Sequence, residues 1–291
     1  MTLPLEPTTV TYPAGAVHGT AVVVHLAPQG DGSTAVLLDS TPCHPVDAAW
    51  PDQGPDRAVI RKDGSPTRVS DCVTAATDGT QLYTGEQIPA KKGAEGWTFA
   101  VAHLVDDDGG LAEGDEVQVE VDEDYRAAIS AGHTACHVAS LALNQAMAHR
   151  WKKDARADGR GEPDFDGLAI DVSTIVPNGS VDTYRMGKSL RRKGFITDGV
   201  PDELAELEGA INGALASWIG SGAAVRIERE GSALTDVRYW VCELPDHTVR
   251  IPCGGTHLDS LEEVSSVRVA LSIEDASGTP VLRMETTAAP A

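Results

Sequence analysis

The hydrophobic pattern of this chain changes period just after Asp122, and that change limits what the chain can fold into. Before it, apolar residues come in strand-length runs at 22–24, 35–39, 58–61, 97–104 and 117–121, the last alternating strictly. Turn signals separate them: Asp31-Gly32, Asp63-Gly64, Asp78-Gly79 and the Asp/Gly-rich stretch 106–110. Several short strands avoid exposed edges most simply by curling into a small β-barrel. After Asp122, residues 125–150 contain no proline and many alanines and leucines, which predicts a long helix with Gly132 as its point of weakness. A polar stretch at 152–166 reads as a surface loop, followed by a strand at 168–172 and a second helical region. Pro201 opens a further amphipathic helix over 203–218, and strands return at 224–228, 237–242 and 267–272. The fold class is α+β, with a β-barrel domain at 1–122 and an α+β domain at 123–291. No short-period repeat interrupts this plan.

Composition narrows the function. The longest apolar runs are far too short to span a bilayer, and the N-terminus lacks a secretory pattern, so the expectation is a cytoplasmic chain without a membrane partner. Five widely spaced cysteines do not form a disulfide framework, and a reducing compartment leaves their thiols free for a metal. A formal net charge of −21 repels nucleic acid at long range. One dense positive run stands against it: Arg185, Lys188, Arg191, Arg192 and Lys193, which reads as a phosphate-contacting patch or as a solvated helix face.

Two half-sites carry metal chemistry. His133 and His137 stand four residues apart, which puts both imidazoles on one face of a helix. Cys136 projects away from that face and reads as a packed residue. Downstream, Cys253 and His257 are also four apart, but Gly254 and Gly255 between them argue for a tight loop. One thiolate and three imidazoles form a borderline-soft set suited to zinc, one ion per chain. Magnesium and calcium are disfavoured because neither motif contains an acidic residue. Four protein ligands would ordinarily mean a closed structural site, and spacing leaves open whether one position exchanges. Glu263, just past the second motif, is expected to orient His257 or to support its loop.

The pair His133-Thr134-Ala135-Cys136-His137 and Cys253-Gly254-Gly255-Thr256-His257 resembles the signature of the alanyl-tRNA editing superfamily. That group comprises editing domains of alanyl- and threonyl-tRNA synthetases and free-standing editing proteins. The resemblance covers most of the chain and is similar to the free-standing members, in which a small barrel precedes a larger α+β editing domain. It implies a zinc-dependent hydrolase of the ester between a wrong amino acid and the tRNA 3′ end. His133, His137, Cys253 and His257 match the family's metal ligands and are the expected catalytic centre. The partner would be aminoacyl-tRNA, with the basic run on its phosphates.

Three departures bear on the substrate. Where the family has consecutive glycines and a glutamine, this chain has Asp47, Ala48, Ala49 and Trp50. Ile251 stands where the family often has an acidic residue. The basic segment 184–195 matches no universal motif. His44, Trp50, Ile251 and Thr256 are therefore candidates for substrate contact, and selectivity is expected to shift toward a small, threonyl-like or non-standard amino acid such as fluorothreonine. The alternatives are a tRNA-binding module without hydrolysis, and a zinc hydrolase of a small ester or amide.

Overall fold

The computed structural model describes residues 3–4, 6–276 and 278–291. It divides into two compact units: Met1–Arg126 with Arg229–Arg238 and Gly254–Thr256, and Ala127–Glu228 with Tyr239–Cys253 and His257–Ala291. Two short segments of the C-terminal half thus belong to the first unit.

Among the described residues the first unit holds ten strands: β1 (Thr9–Val10), β2 (His18–Pro28), β3 (Thr34–Leu38), β4 (Ser40–Thr41), β5 (Ala58–Lys62), β6 (Ser65–Val69), β7 (Asp71–Thr77), β8 (Leu82–Thr84), β9 (Thr98–Val105) and β10 (Glu116–Val121). Eight of them form one curled antiparallel sheet in the order β6-β5-β10-β2-β3-β9-β7-β8, and β1 pairs with β4 in parallel. No ladder joins the outer strands β6 and β8 among the described residues. The Asp-Gly signals act as read. Asp63 and Gly64 both adopt positive φ, 50° and 83°, in the hairpin between β5 and β6. Asp31 and Asp78 instead accept amide protons two residues on, from Ser33 and Thr80. Alternation sends Val36, Leu38, Ile60, Val101, Val117 and Val119 into one apolar core, and Leu234 from the returning segment joins them.

In the second unit the long helix α1 (Glu123–Met147) runs unbroken through Gly132. The expected weak point is a close-packing position instead. A Cβ on Gly132 would stand 2.3 Å from the Val176 carbonyl oxygen and 2.6 Å from that of Gly179. A short helix α2 (Phe165–Ala169), capped by Asp164, leads into the hairpin of β11 (Ile170–Val176) and β12 (Gly179–Arg185). The second helical region is only α3 (Lys188–Arg192), because β12 occupies most of its expected length. Helix α4 (Val200–Gly220) carries Pro201 in its first turn as expected and buries Leu207, Ile211, Leu215 and Trp218 along one stripe.

Then come β13 (Val225–Arg229), β14 (Arg238–Leu244), β15 (His247–Pro252), β16 (Val264–Ala276) and β17 (Thr279–Pro290). They form the sheets β13-β14-β15 and β11-β12-β17-β16. Asn212 of α4 both donates to the Val269 carbonyl (3.0 Å) and accepts its amide (2.9 Å), so the helix satisfies the edge of β16. Among the described residues, no helix is long and apolar enough to cross a membrane.

Candidate metal centre

His133 and His137 sit one turn apart on α1, their rings stacked at 5.0 Å with 17° between planes. Cys253 follows β15, and its Sγ lies 3.5 Å from His133 Nε2 and 3.2 Å from His257 Nε2. The His257 ring is centred 4.3 Å from His133 and 4.9 Å from His137. One donor atom from each of the four residues lies within 4.8 Å of all the others.

Their tautomers and charge follow from what surrounds them. Thr134 Oγ1 stands 3.2 Å from His257 Nδ1 and accepts the Leu258 amide at 3.1 Å. The hydroxyl placed there holds the Nδ1 side of the ring and turns Nε2 toward the Cys253 sulfur. The fully buried Trp240 stacks on His137 at 4.9 Å and 14°. Enclosure pulls the His137 imidazole down to about 4, so near neutral pH it is an uncharged donor. Three imidazoles and a thiol, without a carboxylate in the cluster, match the donor set of a borderline-soft ion.

The other expected residues are placed as follows. Ile251 is the cross-strand partner of Trp240 in the β14–β15 ladder and packs against the core of the second unit. The Glu263 carboxylate accepts the amides of Asp259 and Ser260 and completes a capping box with Ser260, which is loop support. Cys136 faces Asp182, with Sγ 3.7 Å from either carboxylate oxygen, outside the metal cluster. In the first unit, His44 is buried and edge-on to Tyr12 at 5.0 Å, whereas Trp50 is 50% exposed and anchors no core. Arg185, Lys188, Arg191, Arg192 and Lys193 are all exposed.

Against these positions, comparison with known proteins is informative. No family model matches the chain. It is 27% identical over 256 residues to an alanine–tRNA ligase of Frankia alni, covering 86% of this chain and 24% of the ligase. It is 26% identical over 168 residues to the alanyl-tRNA editing protein AlaX-M of Pyrococcus horikoshii, covering 58% of this chain and 61% of that protein. The chain is similar to members of the alanyl-tRNA editing superfamily. A ligase of Acetivibrio thermocellus is similar at 25% over 259 residues, again with 24% of the ligase covered. The chain thus spans about a quarter of the ligases' length and about three fifths of AlaX-M's.

Some important side chains of this chain carry no signal in isolation. The 47–50 segment lacks a glutamine, but Gln53 just beyond it is buried and holds Thr256 at two points. Its Nε2 donates to Thr256 Oγ1, and its Oε1 accepts the Thr256 amide, both at 3.0 Å. Thr256 immediately precedes His257 in sequence. Asp56 forms a buried bidentate pair with Arg126, whose guanidinium also donates to the Pro42 carbonyl at 2.7 Å. Lys152 and Lys153 join the basic patch. The Lys152 amide donates to the Gly194 carbonyl at 2.9 Å, and Lys153 Nζ approaches the Arg192 carbonyl at 3.4 Å. The 152–166 stretch reads as an ordinary charged loop, so nothing local marks these lysines.

Proposed function

We propose that this chain is a zinc-dependent aminoacyl-tRNA deacylase acting in trans on a mischarged or non-standard aminoacyl ester. The observation that carries this reading is the convergence of His133, His137, Cys253 and His257 within 4.8 Å of one another in a chain similar to a named alanyl-tRNA editing protein. The four side chains would hold one zinc ion. Bound there, zinc would supply Lewis acidity at the ester carbonyl. The chain's own work is preorganisation: Thr134 keeps the His257 donor aimed, and Trp240 keeps His137 neutral. On this reading the curled sheet is the small barrel of the free-standing editors, 123–291 is the editing domain, and the setting is cytoplasmic.

The exposed basic patch would lie along tRNA phosphates near the acceptor end. The amino acid would be small or threonyl-like, fluorothreonine included, because Asp47, Ala48, Ala49 and Trp50 replace flexible glycine and Ile251 replaces an acidic group. Such an apolar difference discriminates by roughly 1–3 kcal/mol per methylene-sized change.

A deacylation assay with alanyl-, seryl-, glycyl-, threonyl- and fluorothreonyl-tRNA, and a free amino-acid ester as control, tests both parts. Faster release from a threonyl-type tRNA than from the free ester is the expected result. Seryl-tRNA as the best substrate would overturn the selectivity and keep the enzyme class. Binding of every charged tRNA without turnover by zinc-loaded protein would leave only a tRNA-binding module.

A further inference from the structure

The first unit contains a second convergence of soft donors. Cys72 on β7 and His103 on β9 are directly opposite in the β7–β9 ladder, so their side chains share one face of the sheet. Cys43 reaches the same point from the segment after β4. That segment is fastened to β7 by the Val46 amide, which donates to the Cys72 carbonyl at 2.9 Å. All three side chains have no solvent exposure. One donor atom from each lies within 4.8 Å of the others.

We propose that Cys43, Cys72 and His103 form a second metal site, which takes a thiophilic divalent cation of the zinc class and staples the 41–46 segment to β7 and β9.

The histidine is already oriented as a ligand. Its Nδ1 donates to the Val36 carbonyl at 3.1 Å, which fixes the tautomer and leaves the Nε2 lone pair for the cluster. Thr41 Oγ1 sits 2.8 Å from that Nε2 while accepting the Cys43 amide at 3.1 Å, so without metal its hydroxyl donates to the Nε2 lone pair, and a bound ion would take the hydroxyl's place there. Zinc–sulfur bonds of about 2.3 Å and zinc–nitrogen bonds of about 2.0 Å place tetrahedral donors roughly 3.5–3.8 Å apart, a contraction of about 1.3 Å at most from the observed spread.

Charge favours the ion as well. Two thiolates, a neutral imidazole and a divalent cation sum to zero, which a buried apolar sheet face accommodates far better than isolated charge. Hydrogen bonding from Cys72, with His103 nearby, draws the Cys43 thiol down to about 5, and burial pushes the Cys72 thiol up. Both sulfurs bind a metal as thiolates, so loading releases whatever thiol protons they carry. Three small polar side chains could instead simply pack here. Convergence on one point, with an outer bond fixing the histidine, is what a ligand set needs and packing does not.

The test is metal content of the full chain purified from zinc-supplemented cells without chelator. The expected result is two equivalents in wild type, with one lost in Cys43→Ala, one lost in Cys72→Ala and the other lost in His137→Ala. In the cobalt-substituted protein, Cys72→Ala should remove about two thirds of the thiolate-to-cobalt absorption, because this site holds two of the three cysteine ligands. If the core variants do not fold, wild type with His137→Ala decides: metal retained in His137→Ala supports the second site. One equivalent in wild type that vanishes in His137→Ala overturns it. So does a mass loss of two hydrogens from a Cys43–Cys72 disulfide in protein trapped by acid alkylation.

Discussion

Thr134 is a small side chain on which the aim of His257 depends. It accepts the Leu258 amide and meets His257 Nδ1, so it ties the loop after Cys253 to helix α1 inside the second unit. Thr134→Val keeps the volume and removes that acceptor. Metal affinity measured by chelator competition should fall by about 10–100-fold, with helicity unchanged by circular dichroism. Thr134→Ser should restore most of it. His44 supports a prediction of another kind. Burial pulls its imidazole down to about 4 from an ordinary value near 6.5. The unfolded chain takes up that proton first as pH falls, so the neutral buried ring loses stability between about 6.5 and about 4 and none below. The full difference is about 3 kcal/mol. Burial pushes Asp52 and Asp166 up to about 6 and about 7, which works in the opposite direction. The check is therefore a difference between variants: His44→Gln should gain on wild type in urea melts as pH drops from 7 to 4. A constant difference would sink it.

Two backbone elements are held by close contacts that single substitutions disturb. Helix α1 approaches the β11–β12 turn so closely that Gly132→Ala puts a methyl 2.3 Å from a carbonyl oxygen. The helix must then move, and His133, the next residue, moves with it. The expected outcome is a loss of about 1–3 kcal/mol in denaturant melts together with weakened metal binding. In the first unit, Arg126 at the start of α1 clamps Asp56 and the Pro42 carbonyl, so the segment between them has both ends fixed. Asp56→Ala leaves a buried guanidinium without its carboxylate and should cost about 3–5 kcal/mol. The double variant Asp56→Leu/Arg126→Met, which removes both charges, should recover much of that loss. Melts of the four proteins form the cycle that measures the coupling.

At the scale of the whole molecule, a formal charge of −21 coexists with a compact positive patch. On the proposed function, repulsion from the acidic surface and attraction at this patch would together make binding of tRNA selective for orientation and sensitive to salt. Arg191→Glu/Arg192→Glu should weaken tRNA binding by about tenfold or more at low salt and flatten the plot of log affinity against log salt. Zinc content should stay at the wild-type level. Lys152→Glu/Lys153→Glu should act in the same direction, because the structure brings those lysines beside α3. Unchanged binding across a salt series in both double variants would move the tRNA contact elsewhere.

The sequence by itself determined the features that depend on neighbours along the chain. Period-two alternation, Asp-Gly turns and the proline-free run predicted strands, hairpins and a long helix, since side-chain facing and turn geometry are set within a few residues. The four-residue spacings of His133 with His137 and of Cys253 with His257 were legible for the same reason. Tertiary structure alone decided which distant pairs meet. Strand register set Cys72 against His103, and a one-residue slip would have turned one of them away. Gln53 reaches Thr256 across 203 residues of chain, a separation over which no local pattern persists. Gly132 looked like a helix breaker and proved to be a contact. Its meaning lay in the partner backbone, which only the folded chain supplies.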